Sequence, residues 1–280
     1  MKIIVLGSKG MLARDLIIAL TEAHATFPFD QGQVDITDKK RVLDVIGTMK
    51  PDLVINCAAY NQVDQAETDR EAAFRVNGNG VQHVAFACKE FGSVLCHFST
   101  DYVFDGKSTR PYQPDDLPNP ISVYGASKWA GEVFVHSILD RYYLIRTSSL
   151  YGKHGQNFVY TILRLAKEKE LLKVVQDQIM SPTWTVNLAE GVMKLIHSGN
   201  FGIYHFTDRT EGGISWLEFA KEILRLKGLN NQVQPTTSEE FKRPAKRPAY
   251  SVLDTTLFTQ RSGYEPVPWQ ESLKRFMDTI

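Results

Sequence analysis

Tyr124 and Lys128 stand four residues apart in YGASKWAGE, Tyr124 to Glu132. On a helix that spacing puts both side chains on one face. An ammonium near a phenol favours the phenolate and lowers its pKa. Such a tyrosine can give a proton to a carbonyl oxygen while a hydride arrives at the carbon, and the same lysine could hold a ribose. The competing reading is two ordinary residues at the start of a surface helix, and the pair alone does not separate the two. A second cluster is GSKGMLA, with Gly7, Gly10 and Ala13 at G-x-x-G-x-x-A spacing. Glycine allows a tight turn and close backbone approach, and a helix N-terminus offers free N–H donors to a pyrophosphate. A third is HFSTDYVFDG, His97 to Gly106, where Ser99 and Thr100 place hydroxyls at what reads as a strand end. A hydroxyl there could hold the carbonyl oxygen that Tyr124 protonates.

The elements that would position these groups follow from hydrophobic pattern. KIIVLG reads as a strand, and Met11 to Ala23 has Leu12, Leu16, Ala19, Leu20 and Ala23 at helical spacing. AHATFPFD is a weaker strand ending at Asp30, twenty residues after Gly10. A carboxylate there would grip an adenosine ribose 2′-hydroxyl. Asp30 would repel a 2′-phosphate and so favours NADH, while Arg14, Lys39 and Lys40 are close enough in sequence to soften this. The choice of NADPH or NADH stays open. Thr37 or Asp38 can cap a helix running through Met49. LVINCAA (53–59), VLCHFS (94–99) and YYLIRTS (142–148) are apolar throughout, and a long helix is expected from about Arg70 to Phe91.

Apolar strands separated by helices imply an α/β fold with a doubly wound, parallel Rossmann-type sheet. After Leu150 the rhythm loosens. Residues 1–150 are expected to form the dinucleotide-binding domain and 151–280 mainly a smaller, discontinuous C-terminal substrate lobe, with some segments returning to the sheet. The polar, Pro-rich PTTSEEFKRPAKRPAY reads as a loop on that lobe. Ligands of such a sheet sit beyond the carboxyl ends of its strands, where Thr100 falls.

The chain has 280 residues, 43% of them hydrophobic, with 32 Lys and Arg against 32 Asp and Glu. That balance suggests neither a nucleic-acid nor an acidic-membrane partner. The first apolar run is too short for a signal-peptide core, and no window is long enough to cross a bilayer. Cys57, Cys88 and Cys96 lie in apolar surroundings and read as reduced core residues of a cytoplasmic protein, with no metal-ligand spacing. Asp64 and Glu67 read as structural acids that cap a helix start and bond to nearby loops. His97 reads as a satisfied core residue. Trp129, Phe134, Trp216 and Phe219 read as core at helical spacing, and Trp184 either borders a substrate pocket or does not.

Taken together, the segments resemble the extended short-chain dehydrogenases/reductases, and within them the dTDP-4-dehydrorhamnose reductase family. The resemblance covers nearly the whole chain. It is carried by GSKGMLA, CAAYNQVDQAE (57–67), Val76–Asn77, STDYVFDG, YGASK, RTSSLYG (146–152), Asn157–Phe158, DQIMSPT (177–183) and RPAYS (247–251). It implies Thr100, Tyr124 and Lys128 as the catalytic set, with Tyr124 the acid, Lys128 its tuner and ribose ligand, and Thr100 the carbonyl-orienting hydroxyl. Gly10, Met11, Leu12, Asp30, Asp35, Ile36, Ala59, Tyr60, Asn61 and Phe98 match cofactor positions, beside Gly7 of the glycine turn. Thr100 and Asp101 match sugar contacts. In the basic loop with Arg243 and Lys246, Arg247 is the residue expected to meet a substrate diphosphate. The chain departs from the family pattern at Ser149, where Trp is frequent and lines the sugar site. It departs again at Met180 for Gly, Met11 for Gln and Ala13 for Gly.

The implied activity is NAD(P)H-dependent reduction of the 4-keto group of dTDP-4-dehydro-L-rhamnose to dTDP-L-rhamnose, for surface polysaccharide. One alternative is an epimerase or dehydratase of the same fold. Those dehydratases carry an Asp–Glu pair after the hydroxyl residue, whereas here Thr100 is followed by Asp101 and Tyr102. Another is a non-catalytic regulatory subunit resembling that of methionine adenosyltransferase, against which the intact Thr100, Tyr124 and Lys128 argue. The resemblance leaves a homodimer open, but no acidic cluster in the sequence makes a magnesium-bridged one compelling, and no metal is expected.

Overall fold

The computed structural model describes all of residues 1–280. The chain first alternates β1 (Lys2–Leu6), α1 (Met11–Thr21), β2 (Ala25–Phe29), α2 (Lys39–Met49), β3 (Leu53–Asn56), α3 (Arg70–Phe74), α4 (Val81–Phe91), β4 (Val94–Thr100), α5 (Val123–Ile138) and β5 (Tyr142–Thr147). It then runs through β6 (Leu150–Tyr151), α6 (Phe158–Glu168), β7 (Leu171–Val175), β8 (Ile179–Met180), β9 (Thr183–Trp184) and α7 (Thr185–Ser198). The remaining elements are β10 (Gly202–His205), β11 (Ile214–Ser215), α8 (Trp216–Leu226), β12 (Gln232–Thr236), α9 (Thr256–Ser262) and α10 (Trp269–Met277). Six strands form one parallel sheet in the order β10-β5-β4-β3-β1-β2. Strand order reverses between β1 and β3, so the crevice for a ligand opens at their carboxyl ends.

Each face of the sheet has its own apolar layer. Leu12, Leu16 and Leu20 of α1 pack with Leu188, Val192 and Leu195 of α7 and Phe258 of α9 against Ile3, Val5 and Ile55. On the other face, residues of α2, α4 and α5 cover Ile4, Leu6, Val54 and Leu144. Strand β10 and helices α7 and α9 thus come from beyond residue 150. A third apolar cluster, including Tyr151, Val159, Leu172, Phe219, Ile223, Trp269 and Phe276, is made wholly from residues after 150. No helix is long and apolar enough to cross a membrane.

The expected single helix from Arg70 to Phe91 is instead α3 and α4 flanking a π-helical turn, Arg75–Gly80. Such wide turns often mark functional sites, and this one aims Asn77 inward, fully buried. Trp129 also departs from expectation: it is 39% exposed. Lys128 and Glu132 take the inward face of α5 (3% and 4% exposed), so the next residues round the helix, Trp129 and Val133, turn outward. Phe219 is core, Phe134 half-buried and Trp216 half-buried. His97 is fully buried, with Nδ1 facing the Asn56 amide nitrogen at 3.2 Å. Cys57, Cys88 and Cys96 are free thiols, and burial pushes that of Cys57 up to about 12.

The turn after β1 sets a sharp local requirement. Gly7 has φ +75° and a Cβ there would lie 2.6 Å from the Ala58 nitrogen. Gly10 has φ −65°, and its Cβ would meet the Gly7 carbonyl oxygen at 3.2 Å and the Ala13 Cβ at 3.9 Å. Gly7→Ala is therefore expected to cost at least about 2 kcal/mol in urea unfolding, from strain and backbone overlap together. Gly10→Ala is expected to cost about 1 kcal/mol or less in the same measurement.

Candidate active site

The glycine turn carries the features a pyrophosphate needs. Gly10 caps α1 with no side-chain hydrogen bond, so the first N–H groups of the helix, at Met11 and Leu12, are left without a side-chain acceptor. The close approach of Gly7 to Ala58 brings the loop after β3 alongside. Asp30 follows β2 directly. Its Oδ1 accepts from the Gln33 N–H at 3.2 Å and its Oδ2 lies 2.6 Å from Lys9 Nζ. The Lys9 hydrogen bond is the main reason the Asp30 carboxyl is held below its ordinary value. Lys9 was not among the cations picked out by sequence distance; it sits inside the glycine motif itself. Asp35 accepts from the Thr37 N–H and hydroxyl at 2.9 and 2.8 Å, and buried Ile36 packs beside Gly80.

Ala59, Tyr60 and Asn61 line the loop after β3. Asn77 holds that loop from the π-helical turn: it accepts from Tyr60 N–H at 2.9 Å and donates to Tyr60 carbonyl at 3.0 Å. Its amide also donates to Ser127 Oγ on α5 at 3.0 Å. One buried side chain thus joins the loop after β3 to the helix carrying Tyr124.

Helix α5 starts at Ser122, whose hydroxyl accepts from Gly125 N–H at 3.1 Å. Glu67 accepts from Val123 N–H at 2.9 Å, capping the same end from the loop after β3. Gly125 and Gly131 permit the close docking, because a Cβ at either would overlap the Tyr102 or Asn77 carbonyl. Lys128 Nζ donates to the Phe98 carbonyl on β4 at 2.7 Å. Burial lowers Lys128 to about 8, with Glu132 holding it up. Thr100, at the end of β4, donates to Asp101 Oδ1 at 3.0 Å and accepts from Tyr102 N–H at 3.2 Å. Asp101 is 3% exposed and accepts also from Ser148 Oγ at 2.8 Å. Burial raises its pKa against those hydrogen bonds.

The expected acidification of Tyr124 is not present in this state. Burial pushes it up to about 12, opposed by the Thr100 hydroxyl. The ammonium of Lys128 is spent on the Phe98 carbonyl. Tyr124 is thus protonated over the whole neutral range, which is the form an acid needs.

One turn beyond Lys128, Glu132 forms a buried ion pair with Arg146 of β5. Arg146 Nε lies 3.1 Å from both carboxylate oxygens and one terminal nitrogen 2.7 Å from Oε2. Arg146 also donates to the Pro114 carbonyl at 3.1 Å, faces His205 Nε2 at 3.3 Å and lies over the Phe104 ring. Glu132 could have been found from sequence, since it continues the Tyr124–Lys128 face at i+8; its partner depends on sheet register.

A cavity of about 860 Å³ opens beside the site, against Tyr102 and Ile121. The Tyr102 ring meets Tyr124 edge-on, with centroids 5.8 Å apart. Phe158, Ile162, Leu165, Val174 and Trp216 give it an apolar wall, and Lys173, Lys242, Arg243, Lys246 and Arg247 face a single acid, Glu239. Arg247 reaches this wall, but its fork is paired with both oxygens of Asp64 at 3.0 Å. Asp64 also takes Arg243 at 3.1 Å, so the two acids 64 and 67 do bond to neighbouring segments. Ser149 has φ +49° and its hydroxyl lies 3.2 Å from that of Ser148, next to Asp101. Met180 and Trp184 do not line the cavity; both pack into the apolar cluster formed after residue 150.

The family model for the RmlD substrate binding domain matches residues 1–280. The chain belongs to the dTDP-4-dehydrorhamnose reductase family. It is 42% identical to the dTDP-4-dehydrorhamnose reductase of Streptomyces griseus over 96% of this chain and 91% of that one. It is 39% identical to the spore coat polysaccharide biosynthesis protein SpsK of Bacillus subtilis, over 99% and 96%. The crystal structure of dTDP-4-dehydrorhamnose reductase from Bacillus anthracis in complex with NADP superposes with a TM-score of 0.95 at 41% identity, covering 99% of each chain. The doubly wound α/β sheet expected from sequence is the fold of that solved reductase.

The Arg146 network gives the reductase fold a pH signature. Burial and the Arg146 charge lower His205 to about 3, whereas an unfolded histidine titrates near 6.5. Between those values the unfolded chain binds the extra proton, so His205 costs stability as pH falls below about 6.5. His205→Gln is expected to reduce the loss in urea-unfolding free energy between pH 7 and pH 5 by about 2 kcal/mol.

Proposed function

We propose that this protein reduces the 4-keto group of dTDP-4-dehydro-L-rhamnose to the alcohol of dTDP-L-rhamnose, with NADPH or NADH as reductant, for surface polysaccharide synthesis. The observation that carries the reading is that Tyr124 shares a face of α5 with Lys128, is hydrogen-bonded to the Thr100 hydroxyl and meets edge-on the Tyr102 ring that borders the cationic cavity. In this reading the dinucleotide, when bound, supplies the hydride. Its pyrophosphate is held by the start of α1, with Gly7, Gly10, Met11 and Leu12, and its adenosine end by Asp30, Asp35 and Ile36. Ala59, Tyr60, Asn61 and Phe98 border its other half.

Tyr124 gives its phenolic proton to the carbonyl oxygen as the carbon accepts the hydride, so the C=O becomes CH–OH. The high pKa of Tyr124 keeps that proton in place until an oxyanion develops. Thr100 turns its hydroxyl from Asp101 to the same oxygen, and Asp101 and Ser149 border the sugar. Lys128 stabilises the phenolate left behind and holds a ribose. The cations of the cavity neutralise the diphosphate, with Arg247 the bidentate partner once its grip on Asp64 is exchanged. The division of labour is between a dinucleotide body from residues 1–150 and a sugar-nucleotide lobe mainly from 151–280. A cytoplasmic location accompanies this reading.

Mixing protein, dTDP-4-dehydro-L-rhamnose and NADPH or NADH should consume the nicotinamide absorbance in step with product. Failure with both cofactors would falsify the proposal, and catalytic rather than stoichiometric use of the cofactor would favour an epimerase or dehydratase. Tyr124→Phe should lower kcat by about 100-fold or more while dinucleotide binding persists. Arg247→Met should raise KM for the sugar nucleotide by about tenfold with kcat little changed, seen in initial-rate kinetics.

A further inference from the structure

Arg243 and Arg247 both line the cavity, yet the anion that holds them does not. That anion, Asp64, belongs to the other body of the protein, where it opens the short turn Gln65–Glu67 in the loop after β3. We propose that Asp64 is an internal competitor for Arg243 and Arg247, a gate that sets how strongly an anion must bind before it can occupy the cavity. This rests on the reading of the cavity as the sugar-nucleotide site and assigns Asp64 a part in its specificity.

Both oxygens of the carboxylate are engaged. Oδ1 accepts from Arg247 at 3.0 Å and from the Ala245 N–H at 3.3 Å. Oδ2 accepts from Arg247 at 3.0 Å and from Arg243 at 3.1 Å. A planar fork on two oxygens is the contact a phosphoryl group also invites. Burial works against the charge of Asp64, but Arg247, the Ala245 N–H and Arg243 outweigh it and hold the carboxyl below its ordinary value. The competitor is therefore charged throughout the neutral range. Its side chain is 30% exposed, against 15% for Arg247 and 49% for Arg243, so dissolved anions can reach the pairs. The link also falls on one residue. From Glu239 to Lys246, hydrogen bonds that leave the segment return to Thr236 and Thr237 or cross to Asp64.

The exchange favours some anions over others. A free monoanion offers the arginines no more charge than Asp64 does, and it loses its own freedom on binding, whereas Asp64 is tethered beside them. A diphosphate brings a second charged group, for which Lys242 and Lys246 stand on the same wall. Those contacts offset the broken Asp64 pairs. Displacing Asp64 lowers the apparent affinity of every anion by the same fraction. That fraction excludes small anions, which have nothing else to hold in the cavity. A sugar nucleotide keeps the apolar wall of Phe158, Leu165 and Trp216 for its remaining parts.

The test is binding, measured by calorimetry with dTDP and with inorganic pyrophosphate, so it does not depend on turnover. Asp64→Asn keeps the shape of the side chain and removes its charge. It should tighten both anions by a similar factor, about fivefold, as expected when one partly buried ion pair no longer has to be broken. In an Arg247→Met background the same change should gain less than about twofold, because the main partner has gone. A purely structural Asp64 would do the reverse, since loosening the segment would weaken binding. Weaker or unchanged binding in Asp64→Asn, or the full gain in the Arg247→Met background, would overturn the gate. If dTDP binds wild type and Asp64→Asn gains nothing, the sugar-nucleotide reading stands and the gate falls. If pyrophosphate tightens while dTDP binds neither protein, the gate stands and the sugar-nucleotide reading falls.

Discussion

The pairing of Glu132 with Arg146 is the constraint on which the rest of the site depends. Both groups are almost wholly withdrawn from water, at 4% and 3% exposure. Two charges in that position repay their lost hydration only when geometry is good and the remaining donors are satisfied. Here the carboxylate faces a fork, and the rest of the guanidinium is taken up by Pro114 and His205. The pair fixes how α5 lies on β5, and the ammonium of Lys128, one turn earlier, fixes how it lies on β4. Since Tyr124 is one turn earlier again, its distance from Thr100 is set by contacts made further along the same helix face.

Much of this was legible in the chain because the signals are local. Apolar runs gave the parallel strands, and the turn residues after β1 announced their own geometry. Tyr124 and Lys128 were singled out by their spacing and Thr100 by its strand end, and the resemblance joined them into one catalytic set. Their environment was not legible. The phenol was expected to be acidified by its lysine, but desolvation acts on both groups and the Phe98 carbonyl competes for the ammonium.

What sequence missed depends on contacts between distant segments or on which way a helix is turned. Trp129 was assigned to the core from spacing alone, yet spacing gives the period of a helix without its phase. Lys128 and Glu132 claim the inner face, so their neighbours cannot. Asn77 was visible as part of a motif, but its role follows from a π-helical turn whose existence local pattern did not suggest. Lys9 was passed over because nothing in the local sequence pairs it with an acid. Only the meeting of that turn with the end of β2 makes it a partner of Asp30. Trp184 had two open readings, and the packing around Phe276 chose the bland one.

Strand β10 enters the sheet beside β5 only after the chain has left the sheet and built part of the second lobe. It brings His205 to Arg146, and the preceding α7 covers the outer side of α1. The two bodies are therefore stitched rather than strung. A chain cut near residue 150 would expose the β5 edge and strip α1 of its apolar cover. The lobe built after residue 150 is thus no cassette that recombination could exchange at a single joint. Whatever changes in that lobe must come by substitution within it, under the continuing demand that its returning segments still complete the sheet.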